Sequence, residues 1–75
     1  MDKTTREKLK QLAEIEGMSV DEMLQDATFD SVAKAICMNP GCNYTTDMEP
    51  DQDRGWCENC GTNTVKSCAI LAGII

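Results

Sequence analysis

Four of the five cysteines in this 75-residue chain form two close pairs, Cys37-Met-Asn-Pro-Gly-Cys42 and Cys57-Glu-Asn-Cys60. Spacings of four and two residues let one turn of backbone aim two thiolates at a single ion, and two such turns complete a tetrahedral all-sulfur shell. Cys37, Cys42, Cys57 and Cys60 are therefore the candidate ligands of one structural zinc ion. Four thiolates leave no position for water or substrate, so the expected metal is not a Lewis-acid catalyst. The residues around each pair suit tight turns. Pro40-Gly41 sits inside the first, while Asn43 and Gly61 follow the second cysteine of each pair, where a left-handed backbone is often wanted. A disulfide framework competes for the same residues. The odd cysteine count argues against it, as does a start, Met-Asp-Lys-Thr-Thr-Arg, that leads into no apolar signal region. The expected setting is the reducing cytoplasm.

The remaining cysteine, Cys68, lies in the small apolar run Ser67-Cys-Ala-Ile-Leu-Ala72. There it reads as a buried hydrophobe rather than a ligand or redox thiol, since only Lys66 is near to lower its pKa. The chain has no histidine and therefore no side chain with an unperturbed pKa near neutrality, which removes the commonest general base. No enzymatic activity is expected. Thirteen acidic against seven basic residues, a net charge of −6 and a pI near 4.3 oppose binding to phosphate backbones. The longest apolar run, residues 69–75 with Gly73 inside it, is far short of the roughly 20 residues a membrane span needs.

Through Cys37, Cys42, Cys57, Cys60 and the glycine after the last of them, residues 35–75 resemble the zinc-ribbon and treble-clef group of zinc fingers. The resemblance implies a structural tetrahedral zinc held between two knuckles. It implies no single task, because members occur in nucleic-acid-binding, protein-binding and ribosomal proteins. The paired thiolates also resemble rubredoxins, which would make the protein an iron electron carrier, but rubredoxins typically use the two-residue spacing in both pairs. In a ribbon the second knuckle runs on into a strand, and in a treble clef into a helix. Thr64 can cap a helix from Val65, with Val65, Cys68, Ala69 and Ala72 at helical spacing, so a helix is expected here.

The elements that must position these cysteines begin with a helical pair. Thr4-x-x-Glu7 reads as a capping box opening a helix over residues 5–16, with Leu9, Leu12, Ala13 and Ile15 as its stripe and Gly17 as its stop. Ser19-x-x-Glu22 is a second capping box. Met18 can staple onto Met23, and Val20, Met23, Leu24 and Ala27 line a helix running to about Thr28. Phe29, Val32, Ala33 and Ile36 continue that spacing, so an irregular or helical turn is expected to lead into the first knuckle. The pair resembles a helix-turn-helix, which would make the protein a nucleic-acid-binding regulator. Yet residues 14–30 carry Glu14, Glu16, Asp21, Glu22, Asp26 and Asp30 with no Lys or Arg, the reverse of a base-reading helix.

Between the knuckles, Asp47, Glu49, Asp51 and Asp53 alternate in the manner of a calcium loop. Gln52 stands where such a loop needs glycine, so a solvated hairpin tip between strands near 43–46 and 54–56 is expected instead. Tyr44 and Trp56, each within two residues of a ligand, read as the cover of the metal site and its bridge to the helices. The fold class expected is α+β: a helical hairpin over residues 1–34 packed on a four-cysteine zinc ribbon or treble clef over 35–75, acting as one cooperative unit. The apolar tail either completes the core or forms a weak homodimer contact. The expected function is a non-catalytic protein-interaction adaptor or regulator with a protein partner, for which a basic surface is easier to imagine than an anionic one.

Overall fold

The computed structural model describes residues 3–29 and 32–73. In chain order the elements are α1 (Lys3–Glu16), α2 (Val20–Phe29), β1 (Ala33–Cys37), β2 (Thr45–Met48), β3 (Gly55–Cys57), β4 (Thr62–Ser67) and α3 (Cys68–Leu71). This is the α+β arrangement expected: a helical segment, then a small curled antiparallel sheet, then a short helix.

Leu9, Leu12 and Ala13 are buried on α1, as the stripe requires. Ile15, also assigned to that stripe, is instead exposed, because it lies a quarter-turn off the face that meets the core. The helix starts before Thr4, so the Thr4–Glu7 pair lies inside it and caps nothing; the residue preceding Lys3 falls outside the described segment. Gly17 ends α1 in a Schellman turn, with the Met18 N–H donating to the Ala13 carbonyl (3.1 Å) and the Gly17 N–H to Glu14 (3.2 Å). Of the second capping box the Ser19 cap forms as read, while Glu22 meets the Ser19 hydroxyl rather than its backbone N–H. The Glu22 N–H donates to the Ser19 hydroxyl (3.1 Å), which lies 3.3 Å from the Glu22 carboxylate. Met18 and Val20 pack on the same cluster as the buried Met23 and Ala27.

Past Phe29 the helical spacing misleads. Phe29 is 87% exposed and Val32 half exposed, while Ala33 and Ile36 belong to a strand. β1 is paired on both sides, with Ala35 opposite Thr46 on β2 and Ser67 on β4. Ladder bonds to two neighbours outweigh the weak helical preference of so short a segment.

The sheet order is β2-β1-β4-β3, all antiparallel. β2 and β3 therefore do not form the hairpin expected of them; they are the two edges, each paired to an inner strand. After the second knuckle the chain continues as β4, correcting the expectation of a helix from Val65. The helix comes one element later. α3 is capped by Ser67, whose hydroxyl accepts from the Ile70 N–H (3.2 Å) and donates to the Pro50 carbonyl. Val65 shares helical spacing with Cys68 and Ala69, yet it lies in β4 and only the latter two lie in α3.

Two clusters of buried side chains result. One joins Leu9, Leu12 and Ala13 of α1, Met23 and Ala27 of α2, Ala33 and Ile36 of β1, and Cys68 and Leu71 of α3. The other, inside the curl of the sheet, holds Ala35, Cys37, Met48, Cys57 and Val65, with Cys42 and Tyr44 packed against it. Over residues 35–37 of β1 the alternation divides neighbours between the two, Ile36 facing the helices while Ala35 and Cys37 join the sulfur-side cluster. Leu71 thus completes the core; Ile74 and Ile75, the end of the apolar tail, lie outside the described residues.

Candidate metal centre

Cys37 ends β1, Cys42 closes the turn after it, Cys57 ends β3 and Cys60 closes the turn before β4. All four Sγ atoms lie within 4.8 Å of one another. The Cys37–Cys60 and Cys42–Cys57 separations are 3.8 and 3.7 Å, each spanning the two knuckles. A tetrahedron of sulfurs about 2.3 Å from a central zinc has edges of about 3.8 Å. Disulfide bonding would need about 2.05 Å, so the cysteines sit as free thiols at metal-binding separation. The four sequence candidates are brought together, and they are compatible with a zinc-binding site.

Local backbone chemistry shapes each knuckle. The Cys42 N–H donates to Asn39 O (3.1 Å) and the Cys37 N–H to Tyr44 O (3.0 Å), closing the first loop on itself. In the second, the Cys60 N–H points at the Cys57 sulfur (3.4 Å) and the Gly61 N–H bonds the Cys57 carbonyl (2.8 Å). The left-handed positions are Gly41 (φ 78°) and Gly61 (φ 68°). Asn43 does not adopt that conformation, because the first loop reverses one step earlier, at the glycine before Cys42 rather than the residue after it. Polar side chains tie the knuckles to β4: the Thr64 hydroxyl lies 3.1 Å from the Cys37 sulfur, and the Asn39 amide donates to Thr62 (3.3 Å) and Thr64 (3.5 Å).

These contacts set the thiol acidities. Burial pushes Cys37 up, but hydrogen bonds from Thr64, the Asn39 backbone and the neighbouring thiols outweigh it and bring the group down to about 7. Cys42 ends raised: its hydrogen bond with the Tyr44 backbone favours the thiolate, and desolvation with the Cys60 and Cys37 thiols overrides it. Cys57 is raised mainly by burial. Crowded, partly dry sulfurs resist ionising together without a cation, and a divalent ion removes that conflict. Cys68, in the helical cluster, is raised by burial, matching its reading as an inert core residue.

Tyr44 packs against the sulfur-side cluster as expected of a cover. Trp56 does not. It is 55% exposed and points away from the cluster, since the residue before a buried Cys57 on a strand must face the other side. The bridge to the helices is instead Lys8, counted in the sequence only as charge. Only 5% exposed, its Nζ donates to the carbonyls of Asn39 (2.8 Å) and Cys42 (2.6 Å). Four thiolates around a divalent ion carry a formal charge of −2, and Lys8 places a cation against that knuckle. The signal available was a lysine beside Leu9 and one turn before Leu12, together with knuckle carbonyls needing a donor.

No family model matches the chain, and no curated protein or solved structure matches it significantly. Among the described residues, no helix is long and apolar enough to cross a membrane.

Proposed function

We propose that the protein is a small non-catalytic zinc protein, in which Cys37, Cys42, Cys57 and Cys60 hold one structural zinc ion and the folded surface serves as a protein-interaction adaptor or regulator. The observation that carries this is the four-sulfur cluster at tetrahedral separation, which fills every position of a zinc shell with protein ligands. When bound, zinc supplies cross-linking of β1, β3 and the two turns, not Lewis acidity. β4 directly after the second knuckle favours a ribbon over a treble clef. Free thiols fit a reducing, cytoplasmic setting. Lys8, spanning from α1 to the first knuckle, supports one cooperative unit made of residues 1–34 and 35–75.

Adaptor function rests on charge and on the absence of histidine. A chain of net charge −6, with no basic residue on α2, is suited to a basic protein partner rather than to nucleic acid. The test is elemental analysis of purified reduced protein, followed by affinity capture from its own cell extract with protein and nucleic acid both measured. One zinc per chain and a captured protein are expected. A red, iron-containing protein would make it an electron carrier instead, and salt-sensitive capture of nucleic acid alone would make it a nucleic-acid-binding regulator.

A further inference from the structure

The Met48 side chain reaches from one edge strand of the curled sheet to the other. Met48 at the end of β2 lies against Gly55 at the start of β3: a Cβ built on Gly55 would come within 2.8 Å of the Met48 methyl and 3.1 Å of Val65 Cβ. Between these edges runs an open groove of about 590 Å³, lined by Thr46, Asp47, Met48 and Glu49 on one side and Gly55 and Trp56 on the other. Val32, half exposed, adds apolar surface. Each edge strand is paired on one side only, which leaves backbone groups available to a further strand.

Two features say what the groove would accept. Its charged lining residues are Asp47 and Glu49, with no Lys or Arg among the lining, and the loop that follows adds Asp51 and Asp53 against Arg54. Lys34 pairs with Asp47 (3.1 Å), and among the described residues Glu49 has no such pair. The groove's single aromatic, Trp56, offers a large exposed face, and an indole face attracts cations more strongly than other rings. A second copy of this chain would set acid against acid, and a phosphate backbone would be repelled.

From edges, charge and indole together we infer that the groove binds an extended, Lys- or Arg-bearing segment of a partner protein, added as a strand along the β2–β3 seam with a cationic side chain over Trp56. Backbone pairing supplies the affinity, and Glu49 and the indole supply the selection. The inference rests on the adaptor reading, whose partner it describes.

The experiment titrates zinc-loaded full-length protein with three blocked octapeptides by calorimetry: alternating Lys-Val, alternating Glu-Val, and a Lys-Val sequence interrupted by prolines. The Lys-Val peptide should bind at least about tenfold tighter than either of the others, and less tightly as salt rises. Trp56→Ala should weaken it by about tenfold, in line with loss of a cation–π contact and its apolar area. Glu49→Lys, at an exposed site outside both cores, should reverse the Lys-Val over Glu-Val preference while zinc content stays at one. Equal binding of all three peptides, or no binding, would overturn the groove assignment. So would a concentration-dependent dimer that Trp56→Ala dissolves, since a second copy would then occupy the seam. Affinity capture with wild type and Glu49→Lys separates the two levels. A partner lost with Glu49→Lys supports the groove, a partner captured equally by both overturns the groove and keeps the adaptor, and no protein partner with no peptide binding overturns both.

Discussion

The two halves of the molecule solve the small-domain problem differently. The helical side closes on a cluster in which Leu12, Met23 and Ile36 are almost fully buried, and its stability follows from apolar area removed from water. Inside the curled sheet the buried set is Ala35, Cys37, Met48, Cys57 and Val65, with little aliphatic bulk around the sulfurs. A region so poor in large side chains cannot offset the entropy of ordering two loops and four short strands by burial alone. On the proposed reading, the metal ion would act as the core of one half, while the other half has an apolar core. The halves are joined through β1, which contributes to both clusters, and through the Lys8 hydrogen bonds to the first knuckle.

On this division the largest effect comes from a ligand. Cys57→Ser should abolish tight zinc binding and cooperative unfolding, since structural zinc contributes on the order of 10 kcal/mol of apparent binding free energy in small domains; metal content and thermal melting followed by circular dichroism check this. Because β1 serves both clusters, helices and sheet should lose amide protection together, and helices that stay fully protected would show two independent units. Next comes Leu12→Ala, expected to lower stability by about 2–5 kcal/mol in the holo protein, read by urea denaturation, with zinc stoichiometry still one. Lys8→Met keeps the aliphatic stem and removes the donor, leaving two knuckle carbonyls short of a partner. It should destabilise by about 1–3 kcal/mol. Because Lys8 bridges the halves, this variant should also speed zinc transfer to a chromogenic chelator, an effect Leu12→Ala should show less. The smallest is Ser19→Ala, which removes the α2 cap and should cost about 1 kcal/mol of stability, read from the shift in denaturant midpoint, with zinc transfer unchanged.

What could be read from the sequence followed the same division. Cys37, Cys42, Cys57 and Cys60 were legible because ligand spacing is a local property, and the Ser19–Glu22 cap and Gly17 stop were legible for the same reason. The strand identity of residues 33–37 was not, because Ala33 and Ile36 satisfy helical spacing and only pairing with β2 and β4 decides otherwise. Placement of β2 and β3 on opposite edges, rather than in one hairpin, depends on long-range order that spacing does not encode. Trp56 was misplaced through its nearness to Cys57 in the chain: adjacent strand residues face opposite ways. Lys8 was missed because its partners are backbone carbonyls more than thirty positions away.

The central claim, one ion held by four sulfurs as the core of the sheet half, is tested most directly by zinc titration of reduced, metal-free protein, following amide exchange in β1 to β4. One equivalent of zinc should bring protection to those strands cooperatively, and chelation should remove it. Strands equally protected before zinc is added and after it is stripped would contradict the account.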